Sequence, residues 1–196
     1  MKIILASKSA ARQNMLKQCG LNFQAIPADI DESAIITEEK SKDKAANEIA
    51  LTLSLEKAKT VSEENPHSYV IGSDQILEFE DELFEKATSI EETKEKLLRL
   101  SGKTHSLYSA YSVLKNNEII DQYCDRAALT MHKFNEDFVD LYIKKASNDV
   151  TQCVGGYAVE GIGITLFEKI DGDYYTILGM PLLPLLATLR AEGVLS

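Results

Sequence analysis

The residues in this chain best suited to chemistry are carboxylates, lysines and hydroxyls placed where strands and helices begin or end. Asp74 follows an apolar β-type run, Tyr69 to Ile71, in the company of Gly72, Ser73 and Gln75; a second apolar run, Ile76 to Phe79, leads through an acidic turn to Lys86. A carboxylate just past a buried strand is held by backbone, which suits a group that must keep a metal or a water in place. The plainer role is a turn cap. Asp29, Asp31 and Glu32 form a second acidic group. Such a run reads as a solvated loop, and gains a role only if it folds back near Asp74.

A third group lies near the start. Ser7, Lys8, Ser9 and Arg12 follow the apolar run Lys2 to Ala6 and precede Met15, Leu16 and Cys19 at helical spacing. Ser7 or Ser9 is a suitable N-cap, and Gly20 a helix stop. This strand–turn–helix start gathers hydroxyls, backbone N–H groups and cations at a helix N-terminus, a natural place for an anion. Lys and Arg bind polyphosphate oxygens. Carboxylates hold Mg²⁺, which keeps several waters and bridges phosphates, and a further carboxylate can activate water for attack at phosphorus. The residue types therefore point to a metal-dependent enzyme acting on a nucleotide polyphosphate. There is no Walker A motif and no Gly-x-Gly-x-x-Gly, which argues against a P-loop NTPase and a dinucleotide-binding dehydrogenase.

The totals narrow the class. At 196 residues the chain has room for one large domain or two closely joined lobes. A net charge of -10 repels phosphate backbones and argues against general nucleic-acid binding. Three cysteines, Cys19, Cys124 and Cys153, lack metal-type spacing and an even count, as expected of reduced thiols in the cytoplasm. No run is long enough to span a membrane.

Around these groups the pattern predicts a strand over residues 21–26 and a helix over 42–61 with Lys57 near its C-terminal end. A hairpin turn falls at Glu80-Asp81, and a helix capped by Ser89 runs to Leu100. Two long strands meet at Asn116-Asn117, and a helix capped by Asn135 carries Phe138, Leu141 and Tyr142 on its inner face. A Gly-rich stretch follows over residues 149–163; then a hairpin about Asp171-Gly172, from 164–170 to 174–178, and a last helix from Pro181. This order describes an α/β protein with a mixed, bent sheet flanked by helices.

Four blocks, in order along nearly the whole chain, resemble the Maf family of nucleoside triphosphate pyrophosphatases. They are Leu5 to Arg12, similar to the family's LASxSxRR opening; Asp31-Glu32 with Lys57-Ala58; Gly72 to Lys86 with Leu100 to His105; and Gly155 to Gly161 with Leu178 to Leu182. The resemblance implies a single Maf-like domain over 1–196, two lobes around a central cleft, and a cytoplasmic homodimer. It implies cleavage of a nucleoside triphosphate to the monophosphate and pyrophosphate, with a divalent metal such as Mg²⁺ or Mn²⁺, as a housecleaning activity on the nucleotide pool. Asp74 matches the proton acceptor. Ser7, Ser9, Arg12, Lys57 and Lys86 match phosphate-binding positions. Glu32, with Asp74, matches the metal position. Gln75 and Glu160 match positions linked to base choice, and look more like the 7-methyl-GTP or broad-range branch than the dTTP and UTP branch. The chain departs at Ala10-Ala11, where the family often has Pro-Arg, and at Ala87, Thr151 to Val154 and Glu160. A non-catalytic nucleotide-binding regulator linked to septum formation is the other reading that the resemblance leaves.

Overall fold

The computed structural model describes residues 1–146 and 148–195. Its strands are β1 (Ile3–Leu5), β2 (Gln24–Ala25), β3 (Tyr69–Phe79), β4 (Glu82–Phe84), β5 (Thr104–Lys115), β6 (Glu118–Met131) and β7 (Phe167–Asp171). Its helices are α1 (Ala10–Gln18), α2 (Glu32–Ser41), α3 (Ala46–Glu64), α4 (Ile90–Leu100), α5 (Glu136–Ala146), α6 (Tyr174–Ile177) and α7 (Leu182–Ala191). The seven strands form one sheet in the order β2-β1-β3-β5-β6-β7, with β4 also paired to β3. β1 runs parallel to β2 and β3; β4 is antiparallel to β3 and β7 to β6. The sheet is mixed, as the alternation of elements predicts.

The chain divides into two compact units. The first comprises Met1–Gln75, Tyr108–Asp125 and the chain from Gly179 on; the second comprises Ile76–Leu107 and Arg126–Leu178. In the first, Ile4, Ala6, Ala58, Val61, Val70 and Leu114 share a buried cluster, which packs α3 against β1 and β3. In the second, Leu77, Phe79, Leu97, Leu100, Leu129 and Met131 belong to a larger one, which packs α4 against β3 and β6.

Local signals set most boundaries. Ser9 caps α1 by accepting from the Arg12 N–H, and Ser89 caps α4 by accepting from that of Glu92. Asn135 accepts from the Phe138 N–H at the start of α5. Glu80-Asp81 and Asn116-Asn117 both turn with positive φ at each residue, 51° and 63° in either case, as a two-residue hairpin loop requires.

Elsewhere the fold corrects the sequence reading. The predicted strand over 21–26 shrinks to two residues of β2. Residues 29–32 are not simply loop: Asp31 caps α2, which has no buried residue and so no apolar stripe to announce it. The segment after Gly172 forms α6, capped by the Asp173 carboxylate, instead of the second arm of a hairpin. On α5 the buried face is Val139 and Tyr142, while Phe138 and Leu141 are exposed.

His105 on β5 is 2% exposed. Its Nε2 lies 2.6 Å from the Tyr157 hydroxyl, and burial pulls the imidazole down to about 4. An unfolded imidazole titrates near 6.5, so between these values the unfolded chain binds more protons and stability is lost as pH falls. Urea unfolding should therefore show a loss of about 2 kcal/mol between pH 7 and pH 5 from this group, and His105→Phe should remove it. An unchanged pH slope in the variant would mean that His105 is not held neutral by burial.

Candidate active site

The site in the first unit begins with one buried stripe of α3. Ile49, Leu53, Lys57 and Val61 recur at intervals of four residues, and all are buried. Lys57 stands where that period calls for an apolar side chain. A buried ammonium requires a partner, and Lys57 has two: its Nζ lies 2.5 Å from Asp74 Oδ1 and 2.9 Å from Glu32 Oε1. Lys57 is not a residue that merely offsets the end of a helix dipole.

Asp74 is not past a strand but inside one. β3 runs without interruption from Tyr69 to Phe79 and buries Asp74 to 6% exposure. Gly72 makes the Lys57 contact reachable. A Cβ there would fall on the Ser54 carbonyl oxygen of α3 and lie 2.7 Å from the Ala58 nitrogen, so only glycine lets β3 lie this close to α3. Asp31 supplies the other carboxylate indirectly: its side chain accepts the Ala34 N–H at 2.9 Å and starts α2 with Glu32 in the first turn. The acidic run thus does fold back beside Asp74.

Arg12 completes the group. Its guanidinium is buried; Nε donates to the Gly179 carbonyl at 2.8 Å and Nη1 to Ser7 Oγ at 3.4 Å. Burial lowers its pKa from the ordinary value, while the Asp74 and Glu32 carboxylates pull it back up. Ser73 Oγ also donates to the Gly179 carbonyl, at 3.1 Å. Gly179 itself has φ +106°, and a Cβ there would approach Arg12 Nε and Nη2 to 3.4 Å. Ser7 further accepts the Ser9 N–H at 3.2 Å. Ser9 caps α1 and takes the Arg12 N–H, while the N–H groups of Ala10 and Ala11, as at any helix start, have no intrahelical acceptor. Lys8 is exposed and Ala11 half-buried.

Sequence reasoning gave no role to Ser73 or the Gly179 carbonyl. The one signal for the latter is the Leu178 to Leu182 block. Gln75 follows Asp74 directly, so strand alternation turns it to the other face, where Nε2 donates to Ser109 Oγ at 3.0 Å. Lys86 and Glu160 lie in the second unit, both exposed. Lys86 follows β4, and Glu160 sits in the turn before a short 3-10 helix, Ile162–Leu166.

The sequence matches the family described as Maf-like protein over residues 2–192. The chain belongs to the Maf family. Among curated Maf relatives, it is 43% identical to a nucleoside triphosphate pyrophosphatase of Nitrobacter hamburgensis, over 99% of this chain and 95% of that one. It is 43% identical to a 7-methyl-GTP pyrophosphatase of Brucella abortus, over 97% and 96%. To a protein of that same name from Bartonella henselae it is 44% identical, over 96% and 94%. The family match spans every element of this Maf chain, from β1 to α7.

Asp74 and Glu32 also bear on a metal. Both offer hard oxygen ligands, and both already converge on a cation, the Lys57 ammonium. Among the described residues no group of three or more His, Cys, Asp or Glu side chains is arranged as a metal cage. Two carboxylates completed by water and phosphate oxygens suit Mg²⁺, which is seldom held by protein ligands alone.

Gly72→Ala should lower stability by roughly 3 kcal/mol, the upper range for overpacking a close contact, measured as a shift in the urea midpoint. A midpoint within error of the parent would show that β3 does not need this approach to α3.

Proposed function

We propose that the protein is a nucleoside triphosphate pyrophosphatase, adding water across the α–β phosphoanhydride to give a nucleoside monophosphate and pyrophosphate. The relatives that carry this activity in their names match the chain almost end to end. The observation that carries the reading is the buried Asp74 carboxylate held against Lys57, with Glu32 on the same ammonium.

Asp74 takes the proton of the attacking water. Its place inside β3 fixes the carboxylate by backbone, so the base costs little reorganisation at the moment of reaction. Lys57 holds Asp74 before substrate binds and turns to the phosphate oxygens when the triphosphate arrives. Arg12, oriented through Nε and Nη1, keeps further N–H donors for phosphate. Ser7, Ser9 and the first-turn N–H groups of α1 add neutral donors. Lys86 binds phosphate, and Gln75 and Glu160 choose the base; the Glu160 carboxylate accepts from a guanine N1–H and amino group.

A charge argument supports a divalent cation. Lys57 and Arg12 are already matched by Asp74 and Glu32, and the chain carries -10 overall. A triphosphate therefore enters a site with no net positive charge among these four groups. Asp74 and Glu32 would hold Mg²⁺ or Mn²⁺, which would supply charge for the departing pyrophosphate. Cytoplasmic location and a homodimer belong to the same reading; among the described residues no helix is long and apolar enough to cross a membrane. The physiological role that fits is removal of modified or surplus nucleotides.

Pyrophosphate release from a panel of standard and modified nucleoside triphosphates, with Mg²⁺ or Mn²⁺ and with chelator, tests this. Turnover should require the metal, and Asp74→Asn should lower kcat by about 100-fold to 10,000-fold, the usual contribution of a general base, with the fold retained. Nucleotide binding without release from any triphosphate would instead favour a non-catalytic regulator.

A further inference from the structure

The stretch from Gly155 to Gly163 belongs to no strand, yet it is held at several points within the second unit. Tyr157 is the centre of that hold. Its ring lies edge-on to Phe167, with centroids 4.8 Å apart. Gly155 lies so close beneath the ring that a Cβ would sit 2.8 Å from Cζ. Its hydroxyl meets His105 Nε2 at 2.6 Å. One residue earlier, the Gly156 carbonyl accepts from the Tyr142 hydroxyl at 3.1 Å. The chain then turns, with the Gly161 N–H donating to the Ala158 carbonyl at 3.2 Å, and carries Glu160 out to solvent.

The His105–Tyr157 pair is a poor choice for stability alone. Both side chains are buried, and among the described residues His105 Nδ1 has no hydrogen-bond partner. A buried polar atom left without a partner costs free energy that an apolar pair of similar shape avoids. What the pair supplies is direction. The phenol and the neutral imidazole share one hydrogen bond, and His105 sits on β5, so the loop is tied at one defined point to the sheet. Glu160 follows three residues after that point.

We propose that Tyr157, pinned by His105, is a positioning residue that sets where the Glu160 carboxylate stands and so determines how strongly the enzyme discriminates between nucleobases. This rests on the reading of Glu160 as the base-contacting residue. Neither His105 nor Tyr157 touches substrate; they act through the loop. Loosening the tie blurs the choice of base.

The test compares kcat and KM for the best purine triphosphate of the panel and for UTP, in four proteins: the parent, Tyr157→Phe, Glu160→Gln and the double variant. Tyr157→Phe keeps the ring and removes only the hydroxyl. Its KM for the preferred purine should rise about tenfold, with kcat for both substrates within about twofold of the parent, so that selectivity falls about tenfold. In the double variant the selectivity should be no lower than in Glu160→Gln alone, because the two act as one device. His105→Gln, whose amide reaches the Nε2 position, should retain selectivity, and His105→Leu should lose it; this pair decides the matter if Tyr157→Phe does not fold. If Glu160→Gln lowers selectivity and Tyr157→Phe does not, the positioning role is wrong and the reading of Glu160 stands. If neither lowers it, both are wrong. A loss in Tyr157→Phe that persists undiminished in the Glu160→Gln background also overturns the proposal, since the tie would then act through some other group.

Discussion

How closely β3 can lie against α3 governs the charged group of the first unit. The approach is limited by one missing atom, the Cβ of Gly72, whose place is taken by the Ser54 carbonyl. With strand and helix at that separation, Asp74 meets Lys57 at 2.5 Å, both side chains buried. A wider gap would leave Asp74 buried without its lysine, a state that costs far more than the pair itself contributes. Backbone packing and site electrostatics are therefore a single constraint here.

The rest of the site follows from charge balance. Lys57 is shared between a buried carboxylate and the half-exposed Glu32. Arg12 brings a second cation into the same buried region, where Asp74 and Glu32 oppose the effect of burial on it. Its guanidinium is oriented by the Gly179 carbonyl, which also takes the Ser73 hydroxyl. One carbonyl near the C-terminal end thus fixes two side chains from the first half of the chain. That carbonyl is offered by a residue at φ +106°, a conformation that side-chain-bearing residues rarely adopt.

The second unit solves a different problem. Its Gly-rich loop has no ladder of backbone hydrogen bonds to hold it, so side chains from β5, α5 and β7 take over that task. His105, Tyr142 and Phe167 each grip a different part of Tyr157 and its neighbours. The glycines at 155 and 156 are required by closeness: added Cβ atoms would strike the Tyr157 ring and the Thr93 methyl. Order in this loop comes from packing, and a single polar contact gives it direction.

Sequence by itself determined what a few neighbouring residues can decide. The caps at Ser9, Ser89 and Asn135, the turns at Glu80-Asp81 and Asn116-Asn117, and the strand–turn–helix start all rest on hydrogen bonds or φ values spanning four residues or fewer. The residue blocks also marked Asp74, Glu32, Lys57 and Arg12. Tertiary structure alone decided what these groups touch. β3 passes unbroken through Asp74 as a strand of the sheet, with β1 paired to it at Tyr69–Ile71, β4 at Leu77–Phe79 and β5 beside it. That α2 exists depends on an Asp31 cap and a seat beside α3, since it buries no residue of its own and leaves no periodic trace. Phe138 and Leu141 face solvent because α5 turns Val139 and Tyr142 inward. The Gly179 carbonyl is invisible in any local pattern, because an acceptor becomes a site only when a donor from 167 positions away arrives. Local chemistry is written in spacing, whereas contacts between distant side chains are set by which backbones can approach, and here that depended on Gly72.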